Sequence, residues 1–378
     1  MIEVVRDLVS VVAESVKQAN TTALDISFNE ITDMWEAGEL DIKPDYQRLF
    51  RWSSAQQSRF IESLLLEMPV PPIFVLEEDE GTYQLIDGLQ RISSYLHLRG
   101  KLEALHLDPQ IHQGEYLTLE ECDIVPELNG FTFDALPAAL QIRLKRRFIR
   151  MEVVRKETDP RFKYHMFKRL NTGGNALSAH QVRNSAMRML SNKFPDFVIQ
   201  MAGIDEFKAC TEYLTQERRV SAFDEELVLR FFALKDRIQD FKHEVTEFLD
   251  DYMESICDPA KAAPFNYDAQ ERCFRRTFQA LRLALGEYAF GFANKATGNL
   301  GLGFSTYHFE ALTIGLQTVL PTLDLGRAAT IRRLGEVLTA IKLDQQFISI
   351  TTGGGKNSPG PLKARISFVA DRLRDAFR

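Results

Sequence analysis

Tyr83-Gln84-Leu85-Ile86-Asp87-Gly88-Leu89-Gln90-Arg91-Ile92-Ser93-Ser94-Tyr95-Leu96 is the stretch that decides how this chain is read. A short apolar run ends at Asp87-Gly88, and a helical pattern begins with Gln90 and Arg91 in its first turn. Glycine accepts a positive φ and lets the backbone come close to a ligand. The free N–H groups at a helix start attract an anion to that end. Arg91 adds a fixed positive charge whose planar fork suits phosphate oxygens. Strand, tight glycine turn, helix start and arginine together define a candidate phosphate-binding corner.

Working outward, residues 71–76 and 83–86 read as strands joined by an acidic turn at 77–81, and the helix after Gly88 runs to Leu98, with Gly100 as its stop. Upstream, Ser53 and Gln56 have capping-box spacing, and Phe60, Ile61, Leu64, Leu65 and Met68 form an apolar stripe ended by Pro69. Residues 3–18 have the periodicity of an amphipathic helix; residues 24–28 alternate as a strand, and Asn29 is positioned to cap a helix over 30–37. Residues 101–136 are irregular, and 148–154 alternate as a closing strand. From Asp159 the pattern turns helical, over 160–171, 178–190, 191–202, 221–238, 240–256, 268–293, 305–320, 327–342 and 362–377. The fold class is therefore α+β: a mixed core over 1–157, then a large α-helical region over 158–378 with a Gly-rich stretch at 351–361.

Two more segments join the corner. One is Pro44-Asp45-Tyr46-Gln47-Arg48-Leu49-Phe50-Arg51-Trp52; the other runs from Phe167-Lys168-Arg169-Leu170-Asn171-Thr172-Gly173-Gly174 through Leu177-Ser178 to Gln181-Val182-Arg183-Asn184. The ordered trio PxYQRxFxW, DGxQR and FxRLNTGGxxLSxxQxRN resembles the N-terminal domain family of GmrSD-type restriction endonucleases. Thr351 to Ile366, TTGGGKNSPGPLKARI, is similar to a tail motif of that family, so the resemblance spans nearly the whole chain. It implies a ParB/sulfiredoxin-like core with a helical extension, in which the corner handles nucleotide.

On that resemblance, the Gly88 N–H and Arg91 hold phosphates, Asp87 binds Mg²⁺ or orients water, and Gln90 positions a water or the base. A hard cation bridging a carboxylate and phosphates is the usual way Mg²⁺ is bound. Many family members have Gln where this chain has Leu89, which at a helix start packs inward. Phe50 and Trp52 read as core aromatics. Arg48, a charge beside three aromatics, needs a phosphate or carboxylate partner, and Tyr46 and Gln47 stand next to it. Arg169 and Asn171 are further candidates to face the nucleotide. The Gly173-Gly174 stop and a Ser178 N-cap explain most of their segment structurally.

Other chemistry is excluded. Gly353-Gly354-Gly355-Lys356 is not a P-loop, because that motif needs Gly at 350 and Ser or Thr at 357, where Ile350 and Asn357 stand. Lys356 remains a candidate contact to phosphate or DNA. His106-Leu107-Asp108-Pro109 lacks the partners of an HNH site. The other histidines form no spaced pair, and Cys122, Cys210, Cys257 and Cys273 form neither a zinc set nor a disulfide framework. The net charge of −7 gives no global basic field. Any DNA contact is local, and Arg143, Lys145, Arg146, Arg147 and Arg150 read first as a solvated helix face. No apolar stretch is long enough for a membrane span, which points to a cytoplasmic protein.

The resulting expectation is a nucleotide-binding, NTP-hydrolysing, Mg²⁺-dependent subunit of a prokaryotic or phage-related restriction or defence system. In the resembling enzymes a separate HNH-type part cuts DNA, and this chain is expected to carry only the nucleotide-handling part. Its partners would be a nucleoside triphosphate, DNA (modified or not), and a nuclease protein. The alternatives are a non-enzymatic DNA- or partner-recognition module and a DNA-nicking nuclease.

Overall fold

A computed structural model describes residues 8–13, 20–42, 50, 52–78, 81–105, 107, 109–171, 178–188, 190–242, 244–258, 264–294 and 299–378. The chain divides into two compact units, Met1–Leu177 and Ser178–Arg378. The N-terminal residues 8–13 are helical as the periodicity predicts, with Leu8, Val11 and Val12 exposed.

In the first unit the elements run β1 (Thr21–Ser27), α1 (Phe28–Glu36), β2 (Leu40–Asp41), α2 (Ser54–Leu65), β3 (Ile73–Glu77), β4 (Tyr83–Asp87), α3 (Leu89–Leu98), α4 (Ala138–Arg146), β5 (Phe148–Val154) and α5 (Pro160–Asn171). The sheet order is β1-β5-β3-β4-β2. β1 lies antiparallel to β5, β5 parallel to β3, β3 antiparallel to β4, and β4 parallel to β2. Alternation sends Ile149, Met151 and Val153 of β5 into the core and leaves Phe148 exposed, as a period of two requires. α2 and α3 pack together. Phe28 of α1 meets Tyr95 of α3 at 4.7 Å and Phe60 of α2 at 6.1 Å between ring centroids. α5 packs against β4, so the first helix of the long helical run lies in this unit.

Local signals mostly hold. Ser53 and Gln56 form the reciprocal capping box, with Gln56 N donating to Ser53 Oγ at 3.3 Å and Ser53 N to Gln56 Oε1 at 3.1 Å. The cap of α1 is Ser27 rather than Asn29: its extended backbone sets Oγ 3.1 Å from Glu30 N, while Asn29 turns to Asp33. Met68 leaves the apolar stripe because α2 ends at Leu65 and Glu67 takes a φ of 58°. The irregular 101–136 segment is tied down by polar groups buried on α2. Ser58 Oγ accepts from Glu120 N at 3.0 Å, and Glu62 Oε1 accepts from Ile124 N at 3.1 Å and Val125 N at 2.6 Å.

The second unit contains α6 (Ala179–Arg188), α7 (Lys193–Ala202), α8 (Asp205–Cys210), α9 (Gln216–Val220), α10 (Phe223–Arg237), α11 (Val245–Cys257), α12 (Tyr267–Leu285), a β6–β7 hairpin (Ala293–Asn294, Asn299–Leu300), α13 (Thr306–Gly315), α14 (Ala328–Leu343), α15 (Gln345–Thr351) and α16 (Pro359–Ala376). α8, α9, α15 and the hairpin are additions to the sequence expectation; they are too short to show a period. Phenylalanines fill the core: Phe207, Phe231, Phe232, Phe274 and Phe278 are fully buried, and Phe274 and Phe278 lie 4.5 Å apart between centroids.

Through this apolar interior runs a chain of paired charges. Arg183 of α6 donates to Asp250 of α11 at 2.5 Å and lies 3.9 Å from Glu226 of α10. Glu226 accepts from Arg230 at 2.8 Å, and Arg230 donates to Glu310 of α13 at 2.6 Å. Glu310 also accepts from Arg365 of α16, whose Nη1 donates to the Lys356 carbonyl at 2.7 Å. Burial alone would raise the Glu226 carboxyl, yet Arg230 and Arg183 together hold it below the usual range. Burial likewise opposes the charge on Arg230, and Glu310 and Glu226 more than offset it. Buried charges persist only when paired in this way.

Candidate functional site

The corner forms where β4 delivers Asp87 and Gly88 to the start of α3. Gly88 is the N-cap residue in a left-handed conformation, φ 110°, and among the described residues no side chain caps this helix start. Helix N–H groups left uncapped, with the macrodipole behind them, favour negative charge. Gly88 also has a packing reason. A Cβ there would stand 2.4 Å from Ile73 Cγ2 and 3.0 Å from Ile73 Cβ, so β3 and the turn approach as closely as only glycine allows.

Arg91 and Asp87 meet one helical turn apart. Arg91 Nη2 donates to Asp87 Oδ2 at 2.9 Å and to the Pro72 carbonyl at 2.9 Å. The arginine side chain is largely covered and the carboxylate about one-third exposed. Arg91 Nε is buried without a hydrogen-bond partner among the described residues. Gln90 Oε1 accepts from Trp52 N at 3.1 Å, and Gln57 Nε2 donates to the Trp52 carbonyl at 2.9 Å. His97 Nδ1 then lies 2.8 Å from Gln57 Oε1, and burial lowers the His97 pKa to about 4. A polar relay therefore runs from α3 to the segment that enters α2. Leu89 is buried as its place at the helix start implies, Phe50 is fully buried, and Trp52 packs 5.8 Å from Phe60 between centroids.

The structure thus brings together Asp87, Gly88, Gln90 and Arg91. Tyr46, Gln47 and Arg48 lie outside the described residues. Arg169 is exposed near the end of α5, the helix that packs on β4; Asn171 is the last residue of that helix. Ser178 makes the expected cap, accepting from Gln181 N at 3.2 Å while its own N donates to Gln181 Oε1 at 3.0 Å. Lys356 sits in the second unit, where its ammonium donates to the Ser349 and Thr352 carbonyls at the end of α15. The basic run of α4 and β5 is also largely engaged. Arg143 donates to the Leu65 carbonyl at 3.3 Å, Arg147 to the Met68 carbonyl at 2.8 Å, Arg150 to Glu152 at 2.8 Å, and Lys145 lies 5.7 Å from the Phe133 ring centroid.

Residues 28–188 match the family described as GmrSD restriction endonuclease, N-terminal domain. This segment is a GmrSD-type N-terminal domain. Curated proteins and solved structures give no match. The GmrSD-type segment contains the whole corner together with α5 and α6. Its last motif residues work as scaffold: Arg183 is the first arginine of the buried charge chain, and Asn184 donates to Glu225 at 3.3 Å. Sequence reading missed the Pro72 carbonyl, the Trp52–Gln90 link and the steric role of Ile73. It also passed over Arg230, although a charge inside Leu227-Val228-Leu229-Arg230-Phe231-Phe232 and four residues after Glu226 was a signal. No described helix is long and apolar enough to cross a membrane.

Proposed function

We propose that this chain binds and hydrolyses a nucleoside triphosphate as part of a restriction or defence system, with Asp87, Gly88, Gln90 and Arg91 as the site and DNA and a nuclease as partners. The observation that carries this reading is the uncapped α3 N-terminus opening on a left-handed glycine with an arginine–carboxylate pair beside it. A triphosphate at the N-terminus of α3 would meet the helix N–H groups and the Arg91 guanidinium, whose Nε has no partner among the described residues. On binding, Arg91 would exchange part of its bond to Asp87 for phosphate oxygens. Among the described residues no group of three or more carboxylate, His or Cys side chains is arranged to hold a metal. Mg²⁺ fits nonetheless, because it is normally held by one or two carboxylates, water and substrate phosphates. Asp87 would be that carboxylate, and the ion would neutralise phosphate charge. Gln90, anchored by Trp52, would orient a water or the base, and the ParB/sulfiredoxin-like likeness of the core belongs to the same reading. Catalysis would then rest on positioning and charge stabilisation.

A second reading has its own support: the corner as architecture alone, in a module that recognises DNA or a partner. Gly88 is already required by Ile73, and Arg91 already closes the turn through the Pro72 carbonyl. One experiment separates the two. Nucleotide binding and phosphate release are measured with Mg²⁺, with and without DNA, for wild type, Asp87→Ala and Arg91→Lys. Turnover that falls at least 100-fold (about 2.7 kcal/mol) in both variants, with unchanged far-UV spectra, supports the hydrolytic reading. Absence of binding in wild type under every condition leaves the architectural one.

A further inference from the structure

We infer a second ligand site, within the helical unit, for a nucleotide-class ligand: a flat aromatic ring that carries a phosphate. This inference is independent of the corner. A cavity of about 480 Å³ lies among α9, α10, the residues on either side of the hairpin, the start of α13 and the Gly-rich tail turn; its lining includes Arg218, Arg230, Phe292, Phe304, Tyr307 and Gly353. That volume is in the range of small-molecule sites.

Its chemistry is asymmetric. Among the described residues no carboxylate lines it. Arg218 makes no ion pair with any described residue and stacks 5.1 Å from the Phe223 ring centroid. Arg230 belongs to the buried charge chain, with its side chain nine-tenths covered and its Nε without a hydrogen-bond partner among the described residues. α13 begins at the cavity: its cap Ser305 and the first helical residues Thr306 and Tyr307 are all in the lining. The tail turn adds the backbone N–H groups of Thr352 and Gly353, which donate to no described residue. Cations, a helix N-terminus and spare backbone N–H groups all select an anion.

The remaining wall selects a flat apolar ring. Phe292 is about half exposed although it lies beside His308 at 5.7 Å between centroids. Phe304 is seated against Phe290 at 5.6 Å and Phe223 at 6.5 Å. Such rings offer stacking faces that accept any base. Tyr307 is held from behind by the fully buried Arg365, 4.6 Å from its ring centroid. Arg365 also bonds the Lys356 carbonyl, and Lys356 in turn closes the end of α15, so the buried charge chain props up both the tyrosine and the tail turn. The Thr351-Thr352-Gly353-Gly354-Gly355-Lys356-Asn357 segment is thereby a wall of this cavity, with Lys356 as its brace.

The ligand is either a free nucleotide or one residue of a single strand. The probes are AMP and an oligo-dA strand, titrated by calorimetry in EDTA so that Mg²⁺-dependent binding at the corner is silent. Proteins are wild type, Arg218→Glu, Phe292→Ala and the corner variant Arg91→Lys; Arg218 and Phe292 are exposed, so their variants should keep the wild-type melting midpoint. Expected is AMP or oligo-dA binding that weakens at least tenfold in Arg218→Glu and Phe292→Ala and is unchanged in Arg91→Lys. Stronger binding of the strand assigns it as the source; equal or stronger binding of AMP assigns a free nucleotide. Photolabelling with 8-azido-AMP gives a readout independent of the variants, with adducts expected in peptides holding residue 292 or 353. No binding of either probe overturns the inference, as does binding that Arg91→Lys abolishes and Arg218→Glu leaves intact. Failure of phosphate release at the corner leaves it standing.

Discussion

Replacing Glu310 by Gln tests whether the charge chain holds the helical unit together. Glu310 is fully buried on α13 and accepts from Arg230 at 2.6 Å and from Arg365 Nε at 3.0 Å. Gln is nearly isosteric, so no cavity opens. It removes the negative charge and leaves one acceptor oxygen for two guanidinium groups. Arg230 keeps Glu226, but Arg365 keeps only the Lys356 carbonyl. Breaking a buried pair from one side costs about 3–5 kcal/mol; the retained oxygen puts Glu310→Gln near the low end of that range. At about 2–4 °C per kcal/mol for a unit of this size, the melting midpoint should fall by roughly 6–12 °C. Far-UV circular dichroism reads the transition, and hydrogen exchange on α13 and α16 shows where protection is lost. Replacing Glu226, Arg230, Glu310 and Arg365 together by Met should recover most of the loss, because the buried charges that remain, Arg183 and Asp250, are paired with each other. A midpoint for Glu310→Gln within about 2 °C of wild type would refute the reasoning, since it would mean less than ~1 kcal/mol rests on the pair.

Three more predictions concern the two units separately. Gly88→Ala should destabilise the first unit by about 2–4 kcal/mol, combining positive-φ strain with overpacking against Ile73; chemical denaturation followed by tryptophan fluorescence checks it, since both tryptophans, Trp35 and Trp52, lie in that unit. His97 is buried with its pKa lowered to about 4. Its neutral form is therefore favoured on folding, so the contribution is complete above about pH 6.5 and lost as pH falls toward 4. The same fluorescence should show about 2 kcal/mol less stability at pH 5 than at pH 7 from this group, and His97→Gln should lose most of that slope. Ser178→Ala removes the cap of α6 and the 2.7 Å bond from Ser178 Oγ to the Ser221 carbonyl; a loss of about 1–2 kcal/mol in urea unfolding is expected, and no measurable change would contradict the capping role.

Several features were legible because the physics is local. The Ser53–Gln56 box depends on residues three apart, and both partners are strong cap formers. The β3–β4 hairpin and the Gly88 turn follow from alternation and one residue that tolerates positive φ. Leu89 reads as buried from its place in the helical period, and so it is. Signals that depend on what lies across the fold were misread or missed. Asn29 and Ser27 are both good caps, and only the path from β1 into α1 selects Ser27. Glu62 on an amphipathic helix looks like a surface residue, yet it is 1% exposed because the 101–136 segment folds over it and offers two backbone N–H groups. The charges of the second unit follow the same pattern, with Arg183, Asp250, Glu310 and Arg365 far apart in sequence and adjacent in space.

By itself the sequence determined the order of the core elements other than β2, the glycine corner between β4 and α3, and, through three ordered motifs, kinship with the GmrSD-type N-terminal domain that residues 28–188 bear out. Those are properties of short range: periodicity, capping and residue chemistry at fixed spacing. Tertiary structure alone decided that Arg91 closes on Asp87 and the Pro72 carbonyl, that Gly88 is demanded by Ile73, and that the TTGGGKN turn walls a cavity with Arg218 and Arg230. The reason is that a buried charge or a close backbone approach is stable only beside its partner, and folding brings in that partner from a distant part of the chain.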